Sequence, residues 1–435
     1  MAYGGGTFVF QNKTLPGAYI NFVSAARASA TLSDRGYATM PLELDWGKDD
    51  EVFEVTNGDF QKNSMELFGY DYTHEKLKGL RDLFQYCKTL YAYRLNSGGE
   101  KATCSLATAK YSGVRGNDLK IVVAANADDE SAFDVKTMLG ASVVDEQTVT
   151  AFSELVDNPY IVWKASGTLE ATPGVPLTGG TNAEITGKNH QDYLDAIESY
   201  TFNTMGVDTT DNTIQNLYVS FVKRMRDEVG VKFQLVLYNK KADYMGVINV
   251  KNTVNDEGAS PASLVYWVTG ASAGCEVNKS NQNKVYNGEF IVNTKYTQTE
   301  LTKAIKQGEF TFHKVGDDAR VLDDINSFVN VTDDQGDVFC DNQVVRVCDQ
   351  IGNDIAVMFN TRFLGTTPND KAGRTSLWAC IVKHHQQLQD VRAIEDFEDD
   401  DIVVEQGDSK KAVVVSDAVT VTVAMGKLYM TVTVA

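Results

Sequence analysis

The chain ends VTVTVAMGKLYMTVTVA, from Val419 to Ala435, and this stretch constrains the fold most because it alternates with a period of two. Leu428, Met430, Val432 and Val434 fall on one face of its second run, and Tyr429, Thr431 and Thr433 on the other. That alternation predicts β-strand, and the Met425-Gly426-Lys427 break predicts a turn between two strands. The last eight residues carry no charge, so an unpaired strand here is an aggregation hazard. A β-tail on a polar tether either closes onto its own domain or adds to the sheet of a neighbour. Between identical subunits, such a contact closes into rings or propagates as a helix.

The tether is the stretch Glu395–Asp408, which holds eight acids and no base. It reads as a solvated linker, with Phe397 and Ile402-Val403-Val404 able to dock. The N-terminus mirrors this arrangement. Gly4, Gly5 and Gly6 precede the β-prone Thr7-Phe8-Val9-Phe10, and a Pro16-Gly17 turn precedes Tyr19 and Ile20. Residues 1–25 and 410–435 are therefore expected to be β arms. Their strand residues are Thr7, Phe8, Val9, Phe10, Tyr19 and Ile20 at one end, and Val419, Val421, Val423, Leu428, Met430, Val432 and Val434 at the other. Gly4, Gly5, Gly6 and Gly407 are the expected hinges.

Between the arms the periodicity changes several times. Residues 26–98 read as α+β, with a helix over Glu75–Cys87 and a strand over Leu90–Leu95. In 99–186 short β runs recur (Leu119–Ala124, Phe133–Leu139, Ala141–Val144, Tyr160–Lys164), broken by Gly, Pro, Asn and Asp, which predicts a β-sandwich-like insertion. Residues 187–310 alternate helix (Asp192–Tyr200, Asn212–Val229, Ala262–Gly274) with apolar strand (Lys232–Tyr238, Gly246–Val250), an α/β layer. Residues 311–409 hold a hairpin near Gly316, helices over Gln343–Phe363 and Lys371–Ile394, and the acidic linker. The expected class is α+β multidomain: α/β inner domains, a sandwich-like insertion, and extended terminal arms.

Little in the chain points to catalysis. There is no GxxxxGK[ST], GxSxG, HExxH or EF-hand loop. Gly113-Val114-Arg115-Gly116-Asn117-Asp118 has the look of an anion loop but reads better as a tight turn feeding a strand. Cys380 and His384 stand four apart on a helix, yet two ligands do not make a metal site. His385 falls on the apolar stripe of that helix and His384 off it. Trp267 and Trp378 lie on apolar helices and are expected in the core. The Asp pairs and runs read as solvated faces. No catalytic residue, cofactor or metal is expected. The net charge of −19 argues against coating nucleic acid. The six cysteines form no CxxC and are expected as free thiols. The N-terminus carries no leader signature, and no apolar run approaches the roughly 20 residues that span a bilayer. The chain is thus expected to be made and kept in a cytoplasm, unless released by lysis, without membrane insertion.

Several stretches, in order along nearly the whole chain, resemble the contractile phage tail sheath proteins of Gram-positive phages and defective prophages. They are LPGAYINFV, YSGVRGNDLKIVV, FVKRMRDEVGVKFQLVLYN, GVINVKN, NKVYNGEF, GEFTFHKVGDDARVLDDINSF, VVRVCDQIGNDI and EQGDSKKAVVV with KLYMTVTV. Sheaths of contractile bacteriocins look much the same. The resemblance implies a homopolymer of stacked six-membered rings around a tail tube, seated on a baseplate and closed by a tail terminator. It implies arms that exchange strands between subunits, inner domains at 187–435 with the N-terminal segment, and an outward 99–186 insertion. It also implies a metastable lattice that contracts on a baseplate trigger and drives the tube through the target envelope. Rival readings are a tube subunit, an α/β enzyme, or a surface-binding protein using the insertion. The length and the two α/β regions weigh against the first.

Overall fold

The computed structural model describes residues 32–333 and 335–434. Thr7, Phe8, Val9, Phe10, Tyr19 and Ile20, and the glycines Gly4, Gly5 and Gly6, lie outside the described residues. The chain divides into two compact units. The larger contains Ser33–Asn353, Leu388–Phe397 and the C-terminal segment from Val419. The smaller contains Asp354–Gln387 and Glu398–Ala418.

The larger unit is built on a mostly parallel sheet. Its first strands are β1 (Tyr37–Leu42), β2 (Val52–Thr56) and β3 (Thr89–Arg94). Strand β1 pairs in parallel with β3 from Tyr37↔Thr89 to Leu42↔Arg94, and β2 runs antiparallel at the edge. Between β2 and β3 lie α1 (Asn57–Phe68) and α2 (Lys78–Leu83). Thr56 and Asp59 close a capping box at the start of α1, and Gly69 ends it at φ 76°. The helix expected over Glu75–Cys87 is a 3₁₀ turn, Glu75–Leu77, followed by the short α2.

After β3 the chain leaves the sheet and builds a second core. Strands β4 (Ala107–Ala109), β5 (Leu119–Ala125), β6 (Phe133–Leu139), β7 (Ser142–Val149), β8 (Ile161–Trp163) and β9 (Thr172–Pro176) follow. They form a four-stranded antiparallel sheet in the order β7-β6-β5-β9 and a β4-β8 ribbon. Alternate residues of β5 (Leu119, Ile121, Val123) meet Val135 and Leu139 of β6, with Ala107, Ala109 and Ile161 from the ribbon. The root of this insertion is fixed by Arg94, which is fully buried. Its guanidinium donates to Ser112 O (2.9 Å), Gly47 O (3.3 Å) and Asp49 (3.0 Å). Gly113 sits beside it at φ 123°, where a Cβ would lie 2.1 Å from Asp45 O. Arg115 is committed to Gly69 O (2.7 Å), to Asp118 (2.7 Å) and to the face of Tyr70. The GVRGND stretch is therefore a 3₁₀ turn holding the insertion, and its arginine is engaged inside the fold.

The chain re-enters the sheet through α3 (Gly187–Ile197), β10 (Thr204–Gly206), α4 (Asn212–Lys223), β11 (Gln234–Tyr238), β12 (Val247–Val250), α5 (Leu264–Ala273), α6 (Gln298–Lys306) and β13 (Glu309–Phe310). The strand order is β13-β12-β11-β10-β1-β3-β2. Leu235, Leu237 and Val247 pack with Tyr193, Tyr218 and Phe221 of α3 and α4. Val236, Ile248 and Val250 face Leu264, Val265 and Trp267 of α5 on the other side. Helices on both faces explain why these strands read as continuous apolar runs. Gly270 lets α5 approach α2, since a Cβ there would meet Leu83 O at 2.1 Å. The helix expected over Asn212–Val229 changes to a π turn at Arg224–Val229 and ends at Gly230, φ 94°. That turn aims the buried Arg226 at Asp349, in a two-pronged pair of 2.6 and 2.7 Å.

A hairpin of β14 (Phe312–Val315) and β15 (Asp318–Val321) follows, then two long helices, α7 (Asn342–Arg362) and α8 (Lys371–Asp390). Helix α8 stops short of the expected Ile394 because Arg392 takes a left-handed φ of 62° and Ala393 N–H returns to Leu388 O, 2.8 Å. The architecture is mixed α/β, multidomain, with several sheets.

The C-terminal hairpin and tail as candidate assembly surface

The acidic stretch is folded, which corrects the linker reading. In chain order it gives β16 (Ile394–Glu395), a buried Phe397, a 3₁₀ turn at Asp399–Asp401 and β17 (Ile402–Gln406). Strand β17 pairs with β18 (Val413–Asp417), which was expected to open the C-terminal arm. Gly407, expected as a hinge, begins the turn of this hairpin: its N–H donates to Ala412 O, 2.9 Å. The charges of 395–401 cap and turn the chain, while Ile402 goes into the core of the smaller unit.

The hairpin ladder fixes which groups face outward. Gly407 N–H bonds Ala412 O, and Ala418 N–H bonds Asp401 O. The inward pairs are thus the odd residues of β17 with the even residues of β18. Backbone groups of Ile402, Val404 and Gln406 point out of one edge, and those of Val413, Val415 and Asp417 out of the other. Among the described residues these edges carry bonds only at Ile402, whose O accepts from Trp378 Nε1, 3.0 Å, and whose N–H donates to Asp399 O. Val403, Val414 and Val415 are exposed. A two-stranded ribbon with both edges open is marginal by itself and a template for further strands.

Beside the β17 edge lies a cleft of about 480 Å³, lined by Lys371, Arg374, Thr375 and Trp378 of α8 and by Val404, Glu405 and Gln406. Trp378, expected in the core, stands half-exposed in this cleft, whereas Trp267 is fully buried. His384, expected on the surface, is buried and 3.0 Å from Asp354. His385 is buried, with Nδ1 3.0 Å from Ile381 O and Nε2 3.0 Å from Asp417, so it ties α8 to the end of β18. Among the described residues no group of three or more His, Cys, Asp or Glu side chains is placed to hold a metal. All six cysteines are free thiols.

The tail itself belongs to the larger unit. Here β19 (Thr420–Val421) pairs with β16, and Thr422 N–H reaches Ala393 O, 3.0 Å. Gln343, buried in the first turn of α7, grips the next residues. Its Nε2 donates to Thr422 O (3.0 Å) and its Oε1 accepts from Ala424 N–H (3.0 Å). This side-chain amide does for two residues what a neighbouring strand would do. Asp341 caps the same turn by accepting from Gln343 N–H, 2.6 Å. Burial, and then the Asp324 carboxylate, push Asp341 up to about 6.

Beyond Ala424 no hydrogen bond holds the tail among the described residues. Met425 is 100% exposed, Leu428 87%, Met430 75%, Val432 69% and Val434 89%. The expected Met425-Gly426-Lys427 hairpin does not form. Of the residues expected as C-terminal strand, Val421 lies in β19, Val419 precedes it, and Val423, Leu428, Met430, Val432 and Val434 stand exposed outside any strand. Sequence reasoning missed Gln343, the cleft residues Lys371 and Arg374, and the pairing of β18 with β17. Only the Val413-Val414-Val415 run carried a signal for any of them.

Comparison with known proteins gives this surface its context. Family models match in sequence: the tail sheath protein Gp18 domain III N-terminal region at residues 35–95, the phage tail sheath protein beta-sandwich domain at 97–182, the central domain at 183–327 and the C-terminal domain at 334–435. The phage-like element PBSX protein XkdK of Bacillus subtilis (strain 168) is 30% identical over 98% of this chain and 99% of its own length. The crystal structure of a sheath tail protein from Desulfitobacterium hafniense is 36% identical, with a TM-score of 0.79 over 90% of this chain and 93% of that one. The helical sheath of the anti-feeding prophage in its contracted state, 13% identical, shares the fold with a TM-score of 0.58 over 97% of this chain and 99% of that one. With models in register from residue 35 to 435 and full-length relatives on both sides, the chain belongs to the phage tail sheath family.

Proposed function

We propose that this chain is the structural subunit of a contractile tail sheath, in a phage, a defective prophage or a contractile bacteriocin. It polymerises as stacked hexameric rings around a tail tube, and a baseplate trigger releases the lattice into a shorter form that drives the tube through the target envelope. The observation that carries this reading is the tail. It has strand alternation, four exposed apolar side chains on one face and, beyond Ala424, no hydrogen-bond partner among the described residues. The open-edged hairpin β17–β18 in the same molecule is the complementary need. Strand addition would give the ribbon further strands and the tail a ladder.

In this account Leu428, Met430, Val432 and Val434 enter a neighbour's hairpin, and Thr7–Phe10 with Tyr19 and Ile20 supply a strand from the other end. Because donor and acceptor differ, the contact is heterologous and propagates. Val419, Val421 and Val423 anchor the donated strand to its own subunit. Gly4–Gly6 supply the bending that a change of lattice requires. The role is mechanical and needs no bound cofactor: the work comes from interfaces that pack better in the contracted lattice. The 99–186 insertion faces outward. Assembly takes place in the producing bacterium, with tube, baseplate and terminator as partners.

Negative-stain electron microscopy of the purified chain with its cognate tube and baseplate tests the reading. Hollow cylinders of constant width are expected. Small discrete particles at every concentration and salt would overturn it.

A further inference from the structure

The seven-stranded sheet diverges between two adjacent strands. From β1 the chain works outward to β3 and β2, and from β10 it works the other way through β11, β12 and β13. The carboxyl ends of β1 and β10 therefore border a topological switch point, where open α/β sheets form a crevice. A cavity of about 320 Å³ opens there. Leu42 is the last residue of β1, and Glu43 and Leu44 continue it into the wall. Asp208 follows β10 from the other side.

The charges in this crevice do not balance. Five carboxylates and two ammonium groups line it, and both ammonium groups are already engaged. Lys78 Nζ lies 2.6 Å from Asp256, and Lys76 pairs with Asp45. Asp208 has one described partner, the Ser260 hydroxyl, which donates at 2.7 Å. Burial raises the Asp208 pKa, and the Glu43 carboxylate adds to the effect. Burial, and then the charges of Asp208 and Glu43, hold the Tyr266 hydroxyl in the neutral form. Its ring lies against α2 because residue 79 is glycine; a Cβ there would be 2.8 Å from the ring. Apolar surface from Leu44, Leu80 and Phe290 completes the wall. Glu43 is exposed and Asp208 half-buried, so an entering cation would give both a cationic, charge-assisted partner that no described residue supplies.

We propose that this crevice receives an ammonium or guanidinium group on a short apolar stem, supplied in the polymer by a Lys or Arg side chain of an adjoining copy of the chain. The stem lies along Leu44, Leu80 and Phe290, and the head reaches Asp208, Glu43 and the Tyr266 hydroxyl. An adjoining copy is the source because chains of net charge −19 repel unless each contact pairs opposite charges locally. The choice of source rests on the polymer reading above; the chemistry of the crevice does not.

The test uses the full chain and n-butylguanidinium chloride, followed by chemical-shift titration with choline chloride as the ionic-strength control. Saturable binding is expected for the native chain. Glu43→Gln and Asp208→Asn, both near-isosteric, should each weaken it about tenfold with unchanged circular dichroism. No saturable binding, or equal binding by both variants, overturns the site. The same variants should raise the critical concentration for polymerisation several-fold. If they lose the probe but polymerise as the native chain does, the neighbour is overturned as source and the crevice takes a free cation. A native chain that binds the probe yet never polymerises would remove the sheath reading and, with it, the neighbour.

Discussion

Ending the chain at Ala424 separates folding from assembly. The cut falls just past the last tail residue that Gln343 holds, so β16–β19 and the β17–β18 hairpin stay intact. The removed side chains contribute little to the folded subunit, since Leu428, Tyr429, Met430, Val432 and Val434 are 87%, 87%, 75%, 69% and 89% exposed. The buried remainder of all five amounts to about one side chain, worth about 2 kcal/mol at about 25 cal/mol per Å² of apolar surface. The melting temperature should therefore move by no more than about 2 °C. In a neighbour's sheet the same side chains would be covered. Losing one buried Leu or Met side chain costs about 2 kcal/mol, roughly thirtyfold in an association constant. Losing four should abolish polymerisation at ordinary concentrations. A thermal melt and a sedimentation assay on one preparation read both numbers. A fall of about 10 °C in the melt would mean that the tail belongs to its own core. Normal pelleting would mean that the tail does not carry assembly.

Two further perturbations probe the larger unit. Asp341 has a folded pKa raised to about 6, so the folded chain holds a proton that the unfolded chain loses from about pH 4. Its contribution is favourable at low pH and is lost as the pH rises through about 6. Asp341→Asn keeps the helix cap and should stabilise the chain at pH 8 by roughly 1–2 kcal/mol, with little change at pH 4. Equal denaturation midpoints for variant and native chain at pH 8 would refute this. Arg226→Met strands the buried Asp349 and should cost about 3–5 kcal/mol, most of it restored by adding Asp349→Leu. A double variant as unstable as the single one would show that the π turn itself, rather than the charge pair, sets the cost.

What the sequence discloses depends on whether a segment's partner lies in the same chain. Strands β11 and β12 and helices α5 and α8 are legible because burial on both faces, or on one stripe, writes apolar runs into them. Strand β10, only Thr204–Gly206, is too short to leave a period. Strand β1 carries Pro41, which argues against a central strand, yet it pairs with two neighbours. His384 reads as a surface residue because its stripe is counted on α8 alone. Asp354, from α7, makes it an interior one. The acids of 395–401 mask a hairpin whose second strand lies beyond them, at Val413–Asp417. The tail fails in the opposite sense: its alternation is real, but it specifies a strand that finds no partner among the described residues. That is why its pairing is legible as a need and its site is not.

The central claim is that this strand is completed by another copy. Placing Val432→Cys together with either Val404→Cys or Val415→Cys, one on each edge of the hairpin, reads that directly on oxidised polymers run without reductant. The native six-cysteine chain is the control. Strand exchange is expected to give a ladder of covalent multimers from one of the two pairs, and none from the control. Monomer alone from both pairs, in polymers that form normally, would contradict it.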